Sequence, residues 1–210
     1  MKKITLFNLS VFMLLAMVGC QNSNNTAVDS TEPKNDSTLQ SKSPQGFSKT
    51  LVWQGYQFDV STEGEGSIRQ LTVQPHGLTI DSGKVVMEID GAAVNAEIGD
   101  LNADGFPEVL IYTVSAGSGS YGNVIGYSVN QGKSMSSIYF PAIAENPKAN
   151  KGYMGHDTYA IVESVLTHSF PIYLDGDTNN NPSGKTRQIQ YKLKEGEASR
   201  KFEVDKISEM

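Results

Sequence analysis

Short apolar runs at the spacing of β-strands restrict the folds open to this chain more than any other feature of its sequence. Runs rich in Val, Ile, Thr and Tyr recur from residue 47 onward between clusters of Gly, Asn, Asp and Pro, and helical periodicity is nearly absent. Several runs alternate apolar with polar residues, for example Leu71/Val73 and Ile189/Tyr191/Leu193. That period is typical of half-buried antiparallel strands. The sequence therefore predicts an all-β fold, an antiparallel β-sandwich of about eight or more strands with protruding loops.

Twelve segments are candidate strands, and one long segment is a candidate connection. The candidate strands cover residues 50–53, 56–60, 67–74, 78–80, 84–89, 95–98, 108–114, 123–129, 136–140, 159–166, 187–193 and 200–207. Residues 141–155 contain Pro141, Pro147 and Gly152, which break the strand pattern. They predict a long surface connection with room for one helical turn.

The beginning of the chain is predicted to export and tether the protein. Lys2 and Lys3 precede an apolar stretch over residues 4–18, which is typical of a signal peptide and short for a membrane span. Cys20 stands at the cleavage position and is the only cysteine, so it is a candidate for lipidation and no intramolecular disulfide can form. Because Gln21 follows, the pattern resembles periplasmic lipoproteins that are sorted to the outer membrane. The predicted parts are a lipoprotein signal peptide (1–19), a disordered tether (20–46) and one β domain (47–210).

The charge of the chain bears on its partners. The sequence carries 17 Lys and Arg against 23 Asp and Glu, a formal net charge of −6. Removal of the predicted signal peptide takes away Lys2 and Lys3 and no acidic residue, which leaves 15 against 23 and a net charge of −8. Nucleic acid is therefore not expected as a partner, whereas a basic protein would be attracted at long range. Any contact with a membrane is predicted to be made through the lipid anchor only.

A loop rich in glycine and serine follows a continuous apolar run. Residues 109–112 read Val-Leu-Ile-Tyr, which predicts a buried strand. Residues 114–122 then read Val-Ser-Ala-Gly-Ser-Gly-Ser-Tyr-Gly, so glycines free the backbone for positive φ around one large side chain, Tyr121. Two interpretations remain open: a hairpin turn in which Tyr121 caps the core, or a protruding loop that presents Tyr121 to a partner.

Three segments occur in an order that resembles a known family. They are Asp-Leu-Asn-Ala-Asp-Gly-Phe-Pro-Glu at residues 100–108, Ser-Gly-Ser-Tyr at residues 118–121 and Ser-Gly-Lys-Thr-Arg at residues 183–187. In this order, and on a chain of this size, they resemble the periplasmic inhibitors of invertebrate-type (i-type) lysozyme. The resemblance covers residues 47–207.

The resemblance implies a function and a set of contact residues. It implies a protein that is not an enzyme and has no cofactor, but blocks i-type lysozyme by inserting a loop into the catalytic cleft. Such a protein would serve evasion of host defence, and related inhibitors imply a homodimer. The implied lysozyme contacts are Ser118, Gly119, Ser120, Tyr121, Thr186 and Arg187.

The segment at residues 100–108 leaves a second function open. Asp100, Asn102 and Asp104 place oxygen ligands at alternating positions, as at the start of a calcium loop. Glu108 comes too early for the twelfth position of an EF-hand, so the motif is incomplete. The alternative is an Asx-turn loop whose carboxylates accept hydrogen bonds from backbone amides. If calcium binds there, the chain is instead predicted to be a calcium-binding, adhesin-like surface lipoprotein.

Other candidate chemistry is weaker. His76, His156 and His168 lack the spacing of a zinc site. His156 and Asp157 are adjacent, as in part of a catalytic triad, but no nucleophile motif accompanies them, which favours a turn. Residues 175–182 are polar throughout and predict a mobile connection.

Overall fold

The computed structural model describes residues 46–210, which form twelve strands and one short 3₁₀ helix. The elements are β1 (Ser48–Trp53), β2 (Tyr56–Glu63), β3 (Ile68–His76), β4 (Val85–Asp90), β5 (Ala92–Gly99), β6 (Glu108–Val114), β7 (Gly122–Asn130), β8 (Ser134–Ile138), the 3₁₀ helix (Ile143–Glu145), β9 (Thr158–Val162), β10 (Val165–Pro171), β11 (Thr186–Lys194) and β12 (Lys201–Glu209).

The strands form three antiparallel sheets, each made from four consecutive strands. The first sheet contains β1–β4, the middle sheet β5–β8 and the third sheet β9–β12, and within each the spatial order follows the chain order. Antiparallel neighbours need only a tight connection, and turns of two or three residues join β1 to β2, β7 to β8 and β9 to β10. The prediction of an all-β, antiparallel sandwich is confirmed.

The middle sheet lies between two hydrophobic cores. One core joins side chains of the first and middle sheets, and the other joins the middle and third sheets. On β6, Val109 and Ile111 contribute to the first core, while Leu110 and Tyr112 contribute to the second. Because successive side chains point to opposite faces, a strand covered on both sides is apolar at most positions. The buried polar residues of β6 are Glu108 and Thr113, on either side of the run. The continuous apolar run therefore marks the central strand of the fold.

Two strand predictions are wrong for identifiable reasons. Residues 78–80 form no strand, although the amides of Thr79 and Ile80 donate to carbonyls of the β7–β8 turn. Residues 159–166 do not form one strand but belong to β9, β10 and the turn between them. That turn uses Glu163 and Ser164 at φ values of 49° and 61°. Asn-Gly is the usual sequence at such a turn, so Glu163-Ser164 is not recognisable as a turn from the sequence.

The connection over residues 141–155 is largely as predicted. It contains the 3₁₀ helix Ile143–Glu145, none of whose residues is buried. The segment is not purely at the surface, because Ala149 lies in the second core at 1% exposure and Gly155 is also buried.

The predicted signal peptide, the lipidation site Cys20 and the tether lie outside the described residues, apart from Gly46. In the part of the chain that the structure describes, no helix has the length and apolar character needed to cross a membrane.

Candidate functional site

Three loops meet at the end of the molecule where β6 ends. They are the finger loop (residues 115–121), which joins β6 to β7, the segment 153–157 before β9, and the β10–β11 loop (residues 172–185). The amide of His156 donates to the carbonyl of Gly119 at 2.9 Å. The Nδ2 group of Asn179 donates to the carbonyl of Ser118 at 2.8 Å. Connections of the third sheet therefore support a loop of the middle sheet.

The finger loop is also closed by its own hydrogen bonds. The amide of Ser115 donates to the carbonyl of Tyr121 at 2.8 Å, and the amide of Tyr121 donates to Oγ of Ser115 at 3.1 Å. The amide of Ser120 donates to the carbonyl of Gly117 at 3.1 Å. Residues 116–118 at the tip are exposed. The loop is thus a fixed projection with an accessible tip.

Neither glycine of the finger loop, Gly117 or Gly119, has positive φ, so the prediction of their role is wrong, and Gly119 instead allows close packing. The one positive φ among residues 115–121 belongs to Ser120, at 45°. A Cβ on Gly119 would lie 2.4 Å from Cε2 of Tyr121, and one on Gly155 would lie 2.1 Å from the carbonyl oxygen of Gly119. Contacts this short exclude any side chain unless a neighbour moves. The absence of a Cβ allows the finger loop to lie against segment 153–157.

Tyr121 stands beside its sheet and not beneath it. Its side chain is 48% exposed, and one edge contact joins it to Tyr153, with ring centroids 5.7 Å apart. Within residues 46–210, neither the hydroxyl of Tyr121 nor that of Ser118 makes a hydrogen bond. Two hydroxyl groups, three residues apart, are therefore available to a partner on a supported loop.

A buried carboxylate holds the base of the finger loop. Asp157 has a fully buried side chain, and its Oδ2 accepts hydrogen bonds from the amide of Gly122 at 2.6 Å and from the hydroxyl of Tyr153 at 2.7 Å. Its Oδ1 faces Nε2 of His168 at 2.5 Å, and the His168 side chain is 1% exposed. Burial, together with the bond to Asp157, raises the pKa of Tyr153 far above its usual value. Tyr153 therefore stays protonated and links Asp157 to Tyr121.

Sequence reasoning missed these supporting residues. The adjacent pair His156 and Asp157, predicted as a turn, lies in the segment before β9, and the partner of Asp157 is His168 on β10. The polar run 175–182 is not without contacts, because Asn179 bonds the finger loop. The run at residues 175–182 is rich in Asp and Asn but lies far from the Gly/Ser loop along the chain, and its composition does not specify pairs.

The second predicted contact segment divides into an exposed and a buried residue. Thr186 is exposed, and its backbone pairs with Met210. Arg187 is only 5% exposed, and its Nη1 donates to the carbonyls of Ala149 and Lys151. Its Nη2 bonds Glu209 at 2.6 Å. The position expected for Arg187 is thus corrected: this side chain fixes the 149–151 segment from inside, because its donors are needed by buried carbonyl groups.

The Asp100–Asp104 loop has the geometry of Asx turns. The two carboxylate oxygens of Asp100 accept hydrogen bonds from loop amides, 3.2 and 2.9 Å away. Asp104 accepts from the amide of Phe106 at 2.8 Å and from Arg200 at 2.9 Å, and Asn102 accepts from the amide of Asp104 at 3.2 Å. Among residues 46–210, no group of three or more His, Cys, Asp or Glu is placed to hold a metal ion. Calcium binding stays a prediction.

A second buried carboxylate lies at the opposite end of β6. Glu108 is fully buried, and it accepts hydrogen bonds from Oγ of Ser128 at 2.6 Å and from the amide of Leu101 at 2.8 Å. Burial nevertheless raises the pKa of Glu108 above its usual value. This group anchors the Asp100–Asp104 loop and is remote from the finger loop.

Comparisons with family models, with curated proteins and with solved structures found no match to this chain.

Proposed function

We propose that this protein inhibits i-type lysozyme by inserting the finger loop into the catalytic cleft. The observation that supports this most is the exposure of two unpartnered hydroxyls, on Ser118 and Tyr121, along a loop that its neighbours hold in place. Inhibition is by occlusion, and no bond of the inhibitor is broken.

The chemistry of a lysozyme cleft suits such a loop. Two carboxyl groups flank the scissile bond of a glycoside hydrolase. A serine and a tyrosine hydroxyl can donate hydrogen bonds to them without offering a glycosidic bond. Hydrogen bonds to charged groups contribute about 1.5–3 kcal/mol each. Tyr121 also supplies the aromatic surface that is common at the centre of tight interfaces.

The support of the finger loop favours tight binding. A loop that is ordered before it binds loses less conformational entropy on association. A stable complex buries roughly 1,200–2,000 Å² in total, so surface beyond the loop must take part. Thr186 is exposed and remains a candidate contact, whereas Arg187 has no accessible group to offer.

A double substitution tests the proposal. We expect Ser118→Ala with Tyr121→Ala to weaken inhibition of an i-type lysozyme at least about a hundredfold, because two charge-assisted hydrogen bonds are lost. The control is Ser137→Ala with Tyr139→Ala, since Tyr139 is 52% exposed, similar to Tyr121, and directly follows the edge strand β8, where its hydroxyl donates to Glu145. If the finger variant inhibits as well as the parent, the assignment is wrong.

We also propose a location in the cell and an oligomeric state for this protein. We propose a periplasmic protein that is lipidated at Cys20 and held at the outer membrane, from which the β domain reaches lysozyme entering the periplasm. Metabolic labelling with a radioactive fatty acid, compared between the parent and Cys20→Ser, tests the anchor. Sedimentation of residues 46–210 tests the homodimer.

A further inference from the structure

The β10–β11 loop contains Ser183, Gly184 and Lys185, the first residues of the segment 183–187, whose role is not explained by Arg187 contacting a partner. The loop has few apolar anchors, yet one carboxylate closes it. Oδ2 of Asp177 accepts from the amides of Leu174 and Ser183 at 2.7 and 2.8 Å, and Oδ1 accepts from Oγ of Ser183 at 2.7 Å. The two backbone amides and the serine hydroxyl hold the pKa of Asp177 below its usual value. Ser183 and Asp177 therefore fix the outline of this loop.

Asn179 lies at the tip of the closed loop and is itself fixed. Its backbone carbonyl accepts a hydrogen bond from the hydroxyl of Tyr173 at 2.7 Å and faces Nε2 of His156 at 3.1 Å. Tyr173 is only 7% exposed, so this contact ties Asn179 to the body of the protein. The Asn179 side chain then reaches the carbonyl of Ser118 at 2.8 Å.

His156 makes a parallel connection to the next residue of the finger loop. Its ring stacks on Tyr173, with centroids 6.3 Å apart and planes inclined by 25°. Its amide donates to the carbonyl of Gly119 at 2.9 Å. The consecutive carbonyls of Ser118 and Gly119 thus accept hydrogen bonds from Asn179 and His156. Both of these residues contact Tyr173.

We infer that Asp177 and Asn179 are positioning residues, and that the β10–β11 loop holds the finger loop in its binding conformation. The inference rests on the proposed function and gives the second sequence motif its part in it. Ser183 closes the β10–β11 loop through Asp177, and Asn179 then sets the backbone from which the Ser118 hydroxyl and the Tyr121 ring project.

The consequence concerns the free protein before the partner arrives. Without the Asn179 bond, the tip at residues 116–118 keeps only its internal hydrogen bonds and the contact of Gly119. It then samples more conformations, and binding must restore the order. Loss of the Asn179 bond therefore mainly lowers the affinity for the partner and raises the mobility of the finger loop. The two cores are untouched, so global stability changes little.

The experiment compares neighbouring residues that differ only in their contacts. Asn179→Ala removes the bond to Ser118, and Asn180→Ala is the control, because Asn180 is exposed and its side chain makes no hydrogen bond within residues 46–210. Asp177→Ala is paired with Asp175→Ala in the same way. For each variant we would measure hydrogen exchange over residues 115–121 and at the His156 amide, the urea midpoint, and the dissociation constant for an i-type lysozyme.

We expect Asn179→Ala to speed exchange in the finger loop and to weaken binding about tenfold at an unchanged urea midpoint, while Asn180→Ala stays within about twofold of the parent. Unchanged exchange in Asn179→Ala overturns the inference whatever the partner. Faster exchange with unchanged binding also overturns it, while the lysozyme function stands. If the parent binds no lysozyme but Asn179→Ala still loosens the finger loop, the proposed function fails and the positioning role is retained.

Discussion

Replacement of Asp157 by alanine should destabilise the protein more than any other single change at the finger end. The side chain is fully buried and has three facing groups: the amide of Gly122, the hydroxyl of Tyr153 and Nε2 of His168. Alanine leaves all three without an acceptor. A buried donor that loses its partner costs about 1–3 kcal/mol. Because Tyr153 is only partly buried and can turn to water, we expect a total loss of about 3–5 kcal/mol.

Urea unfolding followed by the fluorescence of the single tryptophan, Trp53, and by circular dichroism measures this loss. A matched control is Asp59→Ala, because the Asp59 carboxylate also has three side-chain partners, Thr50, Gln57 and His76, but is 44% exposed. Water can replace the partners of an exposed carboxylate, so its loss should hardly move the midpoint. Asp157→Asn, which keeps one acceptor oxygen, should fall between the two. Equal midpoints for Asp157→Ala and Asp59→Ala would refute the reasoning from burial.

Three further predictions concern other parts of the molecule. Gly119→Ala should displace the ring of Tyr121 and shift its NMR resonances, whereas Gly117→Ala should not, because nothing lies within 4 Å of a Cβ at Gly117; equal shifts would contradict the packing. Burial raises the pKa of Glu108, so the stability linked to its proton is present below the unfolded pKa and is lost as pH rises through the folded pKa. The urea midpoint of the parent should therefore fall relative to Glu108→Gln as pH rises above about 4.3, the ordinary pKa of a glutamate, and a constant difference would oppose this sign. Millimolar calcium should leave the melting temperature unchanged, since backbone amides and Arg200 already engage the oxygens of the Asp100–Asp104 loop; a clear rise would restore the adhesin-like alternative.

Local patterns predicted most of the strands, and the failures are also local in origin. The run Val109–Tyr112 identified the central strand because a strand covered on both faces is apolar at most positions. The β9–β10 hairpin escaped prediction because Glu163 and Ser164 adopt positive φ without the usual Asn or Gly. A turn of that kind is decided by the pairing of its strands and not by its own residues.

The sequence predicted the finger loop but not the neighbouring segments that hold it. The Gly/Ser composition located the finger loop, and the structure keeps Tyr121 accessible. The sequence did not show that Arg187 would turn inward, because burial of a strand residue depends on which sheet face is covered. Nor did it show that segment 153–157 can lie against the finger loop only because Gly155 has no side chain. Both outcomes depend on how the middle and third sheets pack.

The sequence by itself determined the strand pattern and the position of the exposed loop, since both follow from residues that are neighbours along the chain. Only the tertiary structure decided what supports that loop. The bond from Asn179 to Ser118 spans 61 residues, and the bond from Gly122 to Asp157 spans 35. Polar side chains such as these can bond many partners, and the packing of the sheets around the second core selects the one each of them meets.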